Sequence, residues 1–244
     1  MSFPKEGCIL FDLTAPRLKN TRRALPNNLL MDAGIFSSWL YRVQKMLINE
    51  DGIDVPCGEC VGCCSSSQFI HIRPQETKTL SRIPRKLLFS APLLPKGHMV
   101  LGYDETGHCP MFIKGKCSIY EHRPLTCRNY DCRIFSAAGI VADDDDKGLI
   151  NKQVQHWQFK YPNKLDQILH SAVKSAASFI RSHPVSFPEG KAPVNASQLA
   201  VVAIKVCTVF LEQGCDPKGI GGTTSDKKTA KTIIAALKKF NAGR

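Results

Sequence analysis

The run Cys57-x-x-Cys60-x-x-Cys63-Cys64 limits what this chain can become more than any other stretch. Eight of the eleven cysteines fall between residues 57 and 132. Thiols at that density build either a disulfide framework or a metal site. A chain of 244 residues with 43% hydrophobic content can bury a core without disulfides. Its first residues, Met1-Ser2-Phe3-Pro4-Lys5-Glu6-Gly7, lack the basic start and continuous apolar stretch of a signal peptide. The longest apolar segment, Leu199–Leu211 with Lys205 inside it, is shorter than the about 20 residues needed to cross a bilayer. These features predict a cytoplasmic protein with reduced thiols and no membrane span. In that setting clustered cysteines bind metal or do redox chemistry.

Thiolate is a soft, anionic ligand suited to zinc, copper(I) and iron–sulfur clusters. Two-residue spacers can set Cys57, Cys60 and Cys63 around one centre, and Gly58 and Gly62 let the backbone fold tightly there. The pattern begins like a bacterial ferredoxin run but departs from it at Ser67 and at the extra Cys64. The fourth ligand must then come from elsewhere, with Cys109-Pro110 a candidate. In extended backbone the side chains of Cys63 and Cys64 point to opposite faces. The pair can serve two neighbouring centres, bridge within one multinuclear centre, or leave one thiol packed as a small hydrophobe. His71, His108 and His122 lie in the same segment and could each replace a thiolate, His108 being next to Cys109. Cys207 reads as a core residue, and Cys8 and Cys215 as lone thiols.

Cys57-x-x-Cys60-x-x-Cys63-Cys64, Cys109-Pro110 and the stretch Gly115-Lys116-Cys117-Ser118-Ile119-Tyr120-Glu121-His122-Arg123-Pro124-Leu125-Thr126-Cys127-Arg128 together resemble the CxxCxxCC cysteine-cluster family. That family comprises YkgJ-like bacterial proteins described as zinc- or iron-chelating domains, and the flagellin lysine methylase is a relative. The resemblance covers residues 57–132. It implies metal chelation with Cys57, Cys60, Cys63, Cys64, Cys109, Cys117 and Cys127 as ligands. Cys132 joins them on spacing. Tyr120, Arg123 and Arg128 are expected around the bound group, where arginine donors stabilise anionic clusters. Tyr120 could equally be an ordinary core aromatic, and Arg123 could pair with Glu121 or Asp131. Pro124 is expected to stiffen the turn that presents Cys127.

The net charge of +12 is spread over both ends without a stripe. It reads as a solvated basic surface, and the run Asp143–Asp146 as a solvated loop or helix start. Domain organisation is read as an N-terminal arm and helix (1–50), a cysteine-cluster domain (51–135) and a C-terminal helical region (136–244). Apolar spacing predicts helices over 35–50, 75–82, 164–182, 197–213 and 226–241, the first stopped by Asp51-Gly52. Short strands are predicted over 69–72, 99–103, 109–113 and 116–119, with a tight turn at Lys114-Gly115-Lys116 that brings Cys109 and Cys117 together. The fold class is therefore α+β and helix-rich, with a small irregular cysteine-knuckle core and a short hairpin packed on C-terminal helices. The expected function is metal binding, with an iron–sulfur cluster preferred to Zn2+. One alternative is an iron–sulfur redox or protein-lysine methylase-like enzyme. The other is a zinc-stabilised module that binds protein or nucleic acid. Nucleic acid is the weaker partner, because aromatic and basic residues scarcely interleave in the last helix.

Overall fold

The computed structural model describes residues 30–49, 52–142, 147–212 and 223–243. The basic arm, Asp51, the run Asp143–Asp146, Cys8 and Cys215 lie outside the described residues. Every described element belongs to the unit that begins at Met31.

The chain opens with strand β1 (Met31–Ile35) and runs straight into helix α1 (Phe36–Asn49). Phe36, Trp39, Leu40, Val43 and Met46 recur at helical spacing and are all buried. The start of α1 is capped from afar: the Asp166 carboxylate accepts the Ser37 backbone N–H at 2.9 Å. The same carboxylate belongs to the capping box of α6 (Lys164–Ser182), where Asn163 accepts from the Asp166 N–H. One buried acid thus caps two helices and fixes their relative position. Around α6 pack α1, α4 (Arg133–Ala138), α7 (Ala196–Val206) and α8 (Val209–Glu212). The helix α9 (Thr223–Ala242) lies on α7. Helix α4 ends at Gly139, whose φ of 68° supplies the left-handed cap that a side chain would resist.

The helical predictions hold, the one over 75–82 as the single turn α2 (Thr77–Leu80), with one correction. The apolar run read as a single helix over 197–213 is interrupted at Cys207 and Thr208. There Phe210 and Leu211 donate to the carbonyls of Cys207 and Thr208 three residues back, a tightened turn that separates α7 from α8.

Three small sheets complete the α+β fold. Strand β7 (Trp157–Lys160), which follows α5 (Gly148–His156), pairs in parallel with β1 in the register Met31↔Trp157 to Ile35↔Lys160. The strands β2 (Ile70–Ile72), β3 (Leu88–Ser90) and β4 (Met99–Leu101) form an antiparallel sheet in the order β2-β4-β3. Strands β5 (Phe112–Ile113) and β6 (Lys116–Cys117) form a hairpin. Its two turn residues, Lys114 (φ 52°) and Gly115 (φ 77°), both have the positive φ that a type I′ turn requires. Sequence spacing foretold the hairpin, β2 and β4, but not β1, β3 or β7.

The interior divides in two. The larger core joins α1, α4, α5, α6, α7 and α9 with β1 and β7, and Cys132 is one of its buried members. The smaller core is Ile70, Ile72, Ile83, Leu101, Met111 and Ile119, with Cys109, Cys117 and Cys127 packed against it.

Candidate metal centre

All nine described cysteines are free thiols. The first four arise from tight local backbone. The Cys60 N–H donates to the Cys57 carbonyl at 3.1 Å, closing a turn in which Gly58 has φ of 57°. Cys63 and Cys64 lie on a 3-10 helix, Gly62–Ser65, rather than on the extended backbone expected from sequence. With three residues per turn, their side chains leave the axis about 120° apart. A side chain at Gly62 would press on the backbone of Leu149 and Ile150 at 3.3 and 3.2 Å, so this glycine lets the turn sit against the start of α5. Lys147, just before α5, donates its Nζ to the Ser66 carbonyl at 2.8 Å.

The other four thiols come from separate elements. The Cys109 N–H donates to the Cys64 carbonyl at 2.8 Å. Cys117 ends the hairpin opposite Phe112. Cys127 rides on the short helix α3 (Leu125–Asn129), which Pro124 precedes and which packs on β2. Cys132 immediately precedes α4, and its sulfur accepts the Trp157 indole N–H at 3.2 Å.

Burial and crowding act on six of these thiols. Burial is the main force that raises the Cys63 thiol well above its ordinary value, followed by Cys132, Cys57, Cys60 and Cys64. Cys63 keeps residue surface open to solvent, yet it is densely surrounded, and that density governs its ionisation. Burial lifts Cys132 to about 12, with Trp157 acting the other way and Cys57 and Cys60 adding to the rise. Burial lifts Cys64 to about 12 as well, seconded by Cys117 and then Cys109. Cys127 also reaches about 12 through burial, then through Cys109, Cys64 and Cys117. Burial raises Cys57 and Cys109 too, and Cys60 and Cys117 respectively add to the rise. Thiols held this way carry their protons until a cation takes the proton's place.

As they stand, no three Cys, His, Asp or Glu side chains among the described residues meet at the distance of a single bound ion. The donor set itself fits a thiophilic metal: eight soft, free thiols, seven of them wholly or partly buried.

Of the three residues expected around the bound group, Arg123 is the one whose charge acts on cysteines, lowering both Cys57 and Cys127. It pairs with Asp54 at 2.7 Å, not with Glu121 or Asp131. Its guanidinium stacks 4.0 Å from the centre of the Tyr120 ring, and that ring is 55% exposed rather than a core aromatic. Arg128 gives its carbonyl to the Ile53 N–H and lays its side chain against Gly52. His71 Nε2 meets His98 Nδ1 at 2.7 Å, and His108 Nδ1 meets the Thr106 hydroxyl at 3.1 Å. Cys207 is buried in the larger core and bonds to the Ile204 carbonyl at 3.4 Å.

Sequence reasoning missed the group behind Cys132. Asp131 and Arg133 form a buried ion pair at 2.8 Å, their side chains 0% and 3% exposed. Trp39 Nε1 donates to Asp131 at 2.9 Å, and Arg133 donates to the Ala33 carbonyl at 3.3 Å. Two charged residues flanking Cys132 were visible in the sequence. The role of Trp157 was not, because nothing local links it to Cys132.

A gathering of free thiols on short turns, most of them half-buried, defines a metal-binding domain. Residues 56–158 match the family model CxxCxxCC, described as "Putative zinc- or iron-chelating domain". No curated protein and no solved structure matches the chain. No helix among the described residues is long and apolar enough to cross a membrane.

Proposed function

We propose that residues 57–132 hold iron–sulfur chemistry, with Cys57, Cys60, Cys63, Cys64, Cys109, Cys117, Cys127 and Cys132 as the thiolate ligands. The observation that carries this reading is the donor set. Eight free thiols, two of them adjacent in sequence, exceed the four that one tetrahedral ion takes. Zinc draws four sulfurs to about 2.3 Å from a single point. A multi-iron cluster binds its thiolates through different irons and so accepts a wider ring. Such a cluster supplies one-electron transfer, and this chain's part is to hold, screen and tune it. The Trp157 N–H on Cys132 and the Arg123 charge beside Cys57 and Cys127 favour anionic sulfur. The reading places the protein where thiols stay reduced, as in the cytoplasm.

Zinc is the second reading, because two complete sets of four thiols are also what structural zinc takes. Anaerobic purification with an optical spectrum and elemental analysis decides between them. A brown protein with iron and sulfide in matching amounts is expected. A colourless protein carrying zinc replaces the first reading with the second, and a protein free of both metals overturns both.

A further inference from the structure

We infer that the domain holds two separate metal centres, one bound by Cys57, Cys60, Cys63 and Cys132 and the other by Cys64, Cys109, Cys117 and Cys127. The inference rests on thiolate metal binding and goes beyond it by dividing the ligands.

Three observations carry the division. The first is how the backbone ties the thiols together. The Cys60 N–H donates to the Cys57 carbonyl at 3.1 Å, and the Gly62 N–H, one residue before Cys63, donates to the Cys60 sulfur at 3.5 Å. Cys64 is tied the other way: its carbonyl accepts the Cys109 N–H at 2.8 Å.

The second observation is the backbone at that joint. Successive residues of a 3-10 helix point about a third of a turn apart. Cys63 and Cys64 on Gly62–Ser65 therefore cannot both be drawn to one ion without undoing the turn. The turn is held by Ser65 and Ser66, whose hydroxyls donate to the Val61 and Gly62 carbonyls.

The third is the supporting structure. Cys132 belongs to the larger core and is fixed by Trp157. Cys109, Cys117 and Cys127 pack on the smaller core. Each set thus draws its distant ligands from a different hydrophobic core. The ligands brought by the local turns, Cys57, Cys60 and Cys63 on one side and Cys64 on the other, complete each set to four. Four is the ligand count of a structural zinc site and of a four-iron cluster alike, so the division does not depend on which metal is bound.

Adjacent residues give the sharpest test. In the full 244-residue chain, Cys63→Ser should empty the first centre and Cys64→Ser the second, each leaving about half the metal of the parent. The pairs Cys57→Ser with Cys132→Ser, and Cys109→Ser with Cys127→Ser, should repeat those two halves with matching residual spectra. The inference is overturned if either pair strips all the metal, which means one shared centre, or if either pair leaves the full content. Folding of each variant is checked by circular dichroism. Should a variant fail to fold, the parent protein decides: the apo chain titrated with Co2+ should saturate at about two ions per chain, and an end point of about one overturns the inference. An end point of one leaves metal binding intact, whereas no binding at all removes metal binding itself, so the two failures are distinguishable.

Discussion

At the scale of single residues, Arg133 shows how much of the site depends on groups that touch no metal. Its guanidinium neutralises Asp131, a carboxylate with no exposed side-chain surface, and reaches the Ala33 carbonyl on β1. Removing one partner of a buried ion pair strands the other charge, at a cost of about 3–5 kcal/mol. Arg133→Ala should therefore destabilise the protein by that order, read from denaturant unfolding. It should also reduce metal retention at the Cys132 end, since Asp131 and Arg133 flank that ligand. His170 offers a pH test. It is buried, stacked 4.3 Å from Phe36, and shares a 2.6 Å contact between its Nδ1 and the Tyr161 hydroxyl. Its Nε2 is buried without a well-formed hydrogen bond, although the backbone at Ser136 and Ala137 lies close enough to favour a proton there. Burial wins and lowers its value from 6.5 to about 4. Above 6.5 the ring is neutral folded or unfolded, and nothing is lost. As pH falls from 6.5 to about 4, the unfolded chain binds a proton that the folded one refuses, so stability drops across that window and levels off below it. Melting temperatures of the parent and of His170→Gln at pH 7.5 and pH 4.5 should show a smaller acid loss in the variant; equal losses would contradict this account.

At the scale of elements, the hairpin is where backbone conformation meets ligand position. Gly115 sits at φ of 77° with open space around it, so a side chain there is resisted by backbone strain rather than by collision. Gly115→Val should cost about 1–2 kcal/mol. It should also lower metal content by disturbing Cys117 two residues on, and elemental analysis of the folded variant checks this. The hairpin was legible in the sequence because a two-residue turn ending in glycine is a local signal. The helices were legible for the same reason: apolar spacing in α1, α6 and α9 stays within one element. The strands β1 and β7 were not, because each is defined only by the other, and the Asp32–Lys160 ion pair that joins them spans 128 residues. The candidate ligands were readable as residue types, and so was the divergence of Cys63 from Cys64. Which core supports Cys109, Cys117, Cys127 and Cys132 was not readable, because that depends on contacts far along the chain.

At the scale of the whole molecule, the two cores differ in self-sufficiency. The larger is closed by long, capped helices. The smaller has six buried hydrophobic side chains, and three of the candidate ligands lie against it. A core that small leans on whatever ties its edges together, and metal bound in the native state alone stabilises it through that binding energy. Chelation should therefore loosen residues 69–127 before the helical core. Hydrogen exchange followed by mass spectrometry should show protection lost first in β2, β3 and β4, while α6 and α7 keep theirs. Uniform loss across both cores would show that they unfold as one.

The parallel pairing of β1 with β7 has a consequence for the order of events during synthesis. A ribosome delivers Met31–Ile35 long before Trp157–Lys160, and at ordinary elongation rates the interval is on the order of ten seconds. For all of that time the first strand has no mate, and every cysteine from Cys57 to Cys132 emerges before its partner strand does. The thiols are thus on offer before the clasp around them can shut. Nascent chain that meets its metal in that interval closes over a filled site, and chain that does not closes over an empty one.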